Sequence, residues 1–120
     1  VIGDAVLSRD RLYRYVLYRN WSELWKLNQP RQPKVLWVML NPSTADADQD
    51  DPTIRRCIDF SKRWGYARMA VVNLFALRAT DPKTLSRVAR EVAIGPETDR
   101  WIVDEARSAQ LIVAAWGSRS

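Results

Sequence analysis

Histidine is absent from the 120 residues, and cysteine occurs once, as Cys57. Without histidine, no nucleophile–His–acid triad can form within these residues. One thiol with no imidazole gives a structural zinc site no basis, and neither a metal nor a cofactor is expected. A single cysteine also rules out an internal disulfide, which suits a reducing compartment and a cytoplasmic protein. No apolar run approaches the about 20 residues needed to span a bilayer, so no membrane partner is expected. The opening VIGDAVLSRDRLYRY lacks the basic-then-apolar layout of a signal peptide. Repeats, low-complexity tracts and linkers are missing too, which leaves one α/β domain over residues 1–120. The chain starts without Met and stops at Gly117-Ser118-Arg119-Ser120, just behind a strand-like run. Both ends are therefore expected to be cuts from a longer protein. The C-terminal part would be missing after a third parallel strand, with apolar surface left bare there.

What is present is a chain with 47% hydrophobic residues and a formal charge of +5. The first excludes a disordered chain. The second suits a polyanionic partner, a nucleotide or nucleic acid, although a merely soluble basic surface would read the same way. One stretch organises the rest: VLWVML-NPSTADADQD-DPTIRRC, from Val35 to Cys57. A short apolar run, expected as a strand buried on both faces, stops at Asn41-Pro42-Ser43. A loop with Asp46, Asp48, Asp50 and Asp51 follows. Asp51 then fits an N-cap and Pro52 the first helical position. Ile54, Cys57, Ile58, Ser61 and Trp64 give the helix its buried stripe, and Gly65 its stop. Cys57 lies on that stripe and reads as a core thiol.

Elsewhere, YRYVLYR from Tyr13 to Arg19 predicts a strand with one wetter face. Arg11, Arg14 and Arg19 interleave there with Tyr13, Tyr15 and Tyr18. Such a strip could contact phosphates and stack on bases, but an edge strand protected by charge is the favoured reading. Residues 20–33 read as a connection. RMAVVN, Arg68 to Asn73, is a second buried strand. Asp81-Pro82 predicts a short helix to about Arg90, and Gly95-Pro96-Glu97-Thr98-Asp99 opens another, with Ile102, Ala106 and Ala109 on its buried side. Leu111 to Ala115 is a third buried strand. The alternation predicts a three-layer α/β sandwich around a mainly parallel sheet, with Val35–Leu40, Arg68–Val72 and Leu111–Ala115 side by side.

In such a sheet, the ends of the three strands share one edge, where open α/β sheets bind ligands. That edge collects Asn41, Pro42, Ser43 and Thr44, then Asn73, then Trp116 and Gly117. Asp51, Thr53 and Arg55 lie at the adjoining helix start, and Arg78 in the loop after Asn73. Amides can fix a water or read a base edge, arginine clamps phosphate, and an indole stacks on a base. Each asparagine could instead only bond nearby backbone. Asp46, Asp48 and Asp50 have the first spacings of a calcium loop. Its sixth position is then Asp51 where glycine is required, and its twelfth is Cys57 where Glu is required, so an EF-hand is excluded, while a weak magnesium site stays open.

MLNPSTADADQDDPTIRRC, WGY, VVNLFALRATDP, GPETD and AAWG, in this order, closely resemble the family called domain of unknown function 1643, from about Tyr13 to Gly117. Thr98 stands where that family usually has Asn. The family also continues past this end into a segment with a Pro-Arg-His-Pro-like motif. More distantly, Met39-Leu40-Asn41-Pro42-Ser43 is similar to the first motif of the uracil-DNA glycosylase superfamily. Val72-Asn73-Leu74 with Arg78 and Pro82, and Ala115-Trp116-Gly117, resemble later motifs of some of its branches. The Leu40 position lacks the glycosylases' glycine, which could narrow a pocket.

That resemblance implies a glycosylase-like fold and a mechanism. Asn41 would position a water to attack the sugar C1′ carbon, with Asp46 as the alternative general base. An asparagine amide would read the flipped base while an aromatic ring stacks on it. A histidine beyond Ser120 would stabilise the departing base. The expected function is action on a nucleobase, nucleotide or nucleic acid, with N-glycosidic hydrolysis as the reaction. A non-catalytic binding module on the same fold is the alternative, and a loop that only closes the fold is the third possibility.

Overall fold

In the computed structural model, which describes residues 1–22, 33–78 and 87–117, the apolar runs become the centre of a five-stranded sheet. The strands are β1 (Ile2–Leu7), β2 (Arg14–Asn20), β3 (Lys34–Met39), β4 (Arg68–Asn73) and β5 (Leu111–Ala114). The helices are α1 (Pro52–Arg63), α2 (Arg90–Ile94) and α3 (Thr98–Ser108). The strand order is β1-β2-β4-β3-β5. β4, β3 and β5 are neighbouring and parallel, as expected, with Met39 opposite Asn73 and Val38 opposite Ala114.

The sheet is not mainly parallel. β1 pairs antiparallel with β2, and β2 antiparallel with β4, so the sheet is mixed. The cause is a hairpin made by the first twenty residues, which extends the sheet beside β4. β2 is therefore an interior strand and not a charged edge, and β1 is the edge on that side. β5 is the other edge. With a partner on one side only, its Leu111 and Ile112 are exposed, contrary to the expectation of a buried strand.

The two faces carry separate cores. On one, Ile54, Cys57 and Ile58 of α1 pack on Leu17, Val35, Trp37, Met69 and Val71. On the other, Trp101, Ile102 and Ala106 of α3 pack on Val16, Leu36, Val38, Ala70 and Val72. Helices on both faces make three layers. α1 starts and stops as its sequence predicts. Asp51 caps it by accepting from the Ile54 N–H at 2.9 Å, and Pro52 takes the first position. At the other end, Tyr66 N–H bonds to Ser61 C=O and Gly65 N–H to Lys62 C=O, with Gly65 at φ 84°. This is the paired bonding of a Schellman stop, which favours glycine. Cys57 is buried and free, and burial pushes its thiol up to about 11.

The expected helix from Asp81-Pro82 and most of the connection over 20–33 lie outside the described residues. What is described near the former is α2, a five-residue helix beginning at Arg90, where the expected helix was to end. No helix among the described residues is long and apolar enough to cross a membrane.

Candidate functional site

The carboxyl edge of β4, β3 and β5 is where the side chains capable of chemistry collect, and the backbone explains why. The parallel pairing runs on past the strand ends: Leu74 N–H donates to Met39 C=O at 3.0 Å, Phe75 N–H to Leu40 C=O at 2.9 Å, and Ala115 N–H to Val38 C=O at 2.7 Å. Asn41, Asn73 and Trp116 thus leave the sheet at one edge, with neighbouring strands about 4.8 Å apart.

The loop 40–51 is held from below by two arginines of β2. Arg14 is 1% exposed, and its Nη1 donates to Ala45 C=O at 2.7 Å and more weakly to Ser43 C=O at 3.4 Å. Its Nη2 donates to Asn73 Oδ1 at 3.3 Å. Arg19, also buried, pairs with Asp50 at 2.8 Å and donates to the Asp46 and Gln49 carbonyls. The close fit continues at β1, where a Cβ on Gly3 would collide with Ala47 C=O. Arg14 reaches this face through an irregularity. The β1–β2 register shifts between Val6 and Leu7, leaving Tyr15 unpaired. Tyr15 and Val16 consequently pack on the same face, and Arg14 turns to the face of Leu17 and Arg19.

Electrostatics follow from this packing. Burial lowers Arg14 to about 10, against the attraction of Asp51. Burial also pushes Asp51 up. Hydrogen bonds from Ser43, Ile54 N–H and Ala45 N–H, with the Arg14 charge, outweigh it and hold Asp51 below the usual carboxylate range. Asp46 is lowered by the N–H groups of Asp48 and Gln49, which donate to its Oδ1 at 2.9 and 2.8 Å, with help from Arg78 and Arg19.

Of the predicted site residues, the structure joins Ser43, Asp51 and Asn73 into one buried network around Arg14. Asn73 is 1% exposed, and among the described residues its Nδ2 has no acceptor, nor has Arg14 Nε. Pro42 is buried beside them, and Asn41 is half-buried with no side-chain hydrogen bond among the described residues. Thr44, Thr53 and Arg55 are exposed on the loop and the first turn of α1. Trp116 is 46% exposed and Gly117, at φ 85°, follows it. Arg78 donates to Arg11 C=O at 3.4 Å, and its charge acts on both Arg14 and Asp46.

The less favoured reading of β2, a strip contacting phosphates and bases, does not exist as a surface: Arg14 and Arg19 are buried, and Tyr13 stacks on Tyr15 at 5.9 Å. The sequence reading missed that these arginines hold the loop. The signal was present in an acid-rich loop that needs nearby cations. Thr98, the departure from the family pattern, is buried and donates its hydroxyl to Ile94 C=O, which fastens the start of α3.

A cavity of about 200 Å³ lies at the opposite edge, lined by Gly3, Tyr18, Arg19, Lys34 and Arg68. Its cations serve the fold: Lys34 pairs with Glu105 at 2.6 Å, and Arg19 with Asp50. Among the described residues, no group of three or more Cys, Asp or Glu side chains could hold a metal ion.

A family model described as Protein of unknown function (DUF1643) matches residues 14–120. No curated protein matches the chain, and no solved structure does.

Proposed function

The chain belongs to the family described as Protein of unknown function (DUF1643), and from the site it carries we propose that it binds and acts on a nucleobase-containing ligand at the carboxyl edge of β4, β3 and β5. One observation carries the proposal. Asn73 is buried at the end of a central strand, Arg14 holds its Oδ1, and its Nδ2 has no acceptor among the described residues. An unpaired buried amide costs about 1–3 kcal/mol, and such groups call for a functional or solvent partner. Because Arg14 fixes the carbonyl end, Asn73 offers a donor, which suits a carbonyl oxygen of a base. Trp116 supplies an exposed ring for stacking, and Arg78 a cation at the rim.

The reaction proposed is N-glycosidic hydrolysis. Asn41, whose amide has no partner of its own among the described residues, would orient a water. The water oxygen bonds to C1′ as the C1′–N bond breaks. The base leaves with that electron pair, and the water's proton passes to Asp46 or to bulk water. The same proposal takes the fold to be glycosylase-like, on the order of the Asn-Pro turn after β3, the asparagine ending β4 and the Trp-Gly turn after β5. A second reading, a binding module without catalysis, is favoured by Asp46. Its Oδ1 is occupied by two N–H groups and its affinity for a proton is lowered, which makes it a weak base.

The test is a panel of uracil-containing and modified DNA, free nucleosides and nucleotides, assayed for binding and cleavage. Asn41→Ala should abolish turnover and leave binding and folding intact, while Arg78→Ala should weaken binding. Binding without turnover by the wild type selects the second reading. A wild type that neither binds nor cleaves any member refutes both, and unfolding by Asn41→Ala would make the loop a structural closure only.

A further inference from the structure

We propose that the outer flank of α1 is a binding strip for single-stranded nucleic acid, running away from the proposed binding cleft at the start of the same helix. This deepens the proposed function, and rests on it, by naming a strand and not a free nucleotide as the ligand. The strip follows from helical spacing. Arg56, Phe60, Arg63 and Trp64 are separated by four, seven and eight positions from the first, which places them on one side. The one acid of α1, Asp59, stands three positions after Arg56 and four before Arg63, on the exposed side that also carries Arg55 and Lys62. The exposed side of α1 therefore carries four cations, Arg55, Arg56, Lys62 and Arg63, against one acid, and neither Arg56 nor Arg63 is in an ion pair among the described residues.

The aromatic rings are built into a stack and still accessible. Trp37 of β3 is 6% exposed and forms its floor. Trp64 stacks on Trp37 with centroids 5.5 Å apart and planes at 16°, and Phe60 on Trp64 at 5.6 Å and 29°. Phe60 and Trp64 are nevertheless 43% and 46% exposed. Trp37 Nε1 donates to Ser61 Oγ at 3.0 Å, which fixes the floor ring. Arg63 lies over the Phe60 ring, with its guanidinium carbon 5.9 Å from the centroid. Exposed rings interleaved with arginine are what a base-stacking, phosphate-tracking surface needs. An apolar protein partner would strip water from Arg56 and Arg63 and offer no acid in return. Continuity with the cleft supports the same occupant. α1 begins at Asp51, inside the network, and its twelve residues extend about 18 Å from there.

The experiment measures fluorescence anisotropy of a labelled thymidine oligonucleotide of about 12 nucleotides, within the range of single-strand site sizes. Binding is followed across a salt series, beside its duplex and thymidine monophosphate. Trp64→Ala and Phe60→Ala should each weaken oligonucleotide binding about 5- to 140-fold, the value of one base stack, with the salt slope unchanged. Trp64→Phe, which keeps a ring and guards against a folding artefact, should recover most of it. Arg56→Ala and Arg63→Ala should each lower the slope of log K against log salt by about 0.7. The duplex, whose bases are already stacked, should bind more weakly.

Wild-type affinity in Trp64→Ala overturns the proposal, and so does a duplex that binds as tightly as the single strand. A dimer that Trp64→Ala dissociates overturns it too, since a second copy then covers the strip. The cleft and the strip can fail separately. Monophosphate binding that needs Asn73, with an oligonucleotide bound no tighter, keeps the cleft and removes the strip. Oligonucleotide binding that needs Trp64 and ignores Asn73→Ala keeps the strip and removes the cleft.

Discussion

Replacing Arg14 with methionine separates the stability of the sheet from the order of the loop above it. The guanidinium is 1% exposed and stays charged only against the cost of burial. Its fall from 12.5 to about 10 corresponds to roughly 3 kcal/mol carried by the charged form, even after attraction to Asp51. Arg14→Met removes that cost and keeps much of the side-chain volume. It also leaves Ala45 C=O and Asn73 Oδ1 without their donor, at about 1–3 kcal/mol each. Asp51 loses a nearby cation but keeps bonds from Ile54 N–H, Ala45 N–H and Ser43. The net loss should be about 1–2 kcal/mol, below the about 3–5 kcal/mol usual when a buried pair is broken. Urea unfolding reads that number, and native-state hydrogen exchange reads the loop. Protection at the Ala45, Asp46 and Gln49 amides should collapse, while the β3 and β4 amides lose protection only in step with global stability. A global loss above about 4 kcal/mol would refute the proposed balance of terms. Wild-type protection in the loop would refute the assignment of Arg14 as its clamp.

Two further outcomes follow from the titrating groups. Asp51 and Asp46 are both lowered in the folded state, so each contributes stability that is fully present above the unfolded carboxylate value of about 3.9 and is lost as pH falls through the folded value. Unfolding free energy should therefore drop below about pH 4. Asp51→Asn, which can still cap α1, should flatten that drop, and an unchanged acid limb would contradict the assignment. Cys57, buried and pushed up to about 11, should resist a thiol reagent in the native protein at pH 8 and react fully in denaturant. Rapid native labelling would show that the α1 face is open to solvent.

How much of this was legible in the residues depended on whether a local pattern had one physical meaning. The runs at Val35–Leu40 and Arg68–Val72 did, because an apolar run of that length between turn signals fits a central strand. Asp51-Pro52 and Gly65 did as well, and α1 begins and ends on them. Leu111–Ala115 misled, since apolar composition does not say how many neighbours a strand has, and β5 has one. β1 gave almost no signal, because Gly3 and Asp4 interrupt its alternation and only the approach of Ala47 explains the glycine. Within the candidate site, the strand-end residues could be placed from order alone. The network among Ser43, Asp51 and Asn73 could not, because its centre, Arg14, comes from a strand that looked like a charged edge.

That centre depends on a single irregular position. Arg14 and Arg19 are five residues apart, an odd separation, and in a regular strand they would point to opposite faces. The register shift opposite Val6 and Leu7 places Tyr15 outside the pairing and returns Arg14 to the face of Arg19. Both guanidinium groups then meet the same loop, one at Ser43 and Ala45 and the other at Asp46, Gln49 and Asp50. An acid-rich loop without such partners would repel itself and remain open. With two buried cations beneath it, the loop is drawn flat onto β2, and Asp51 is delivered to the start of α1. The conformation of the loop after β3 is thus imposed by β2, and the bulge at Tyr15 is the feature that lets one strand hold it at both ends.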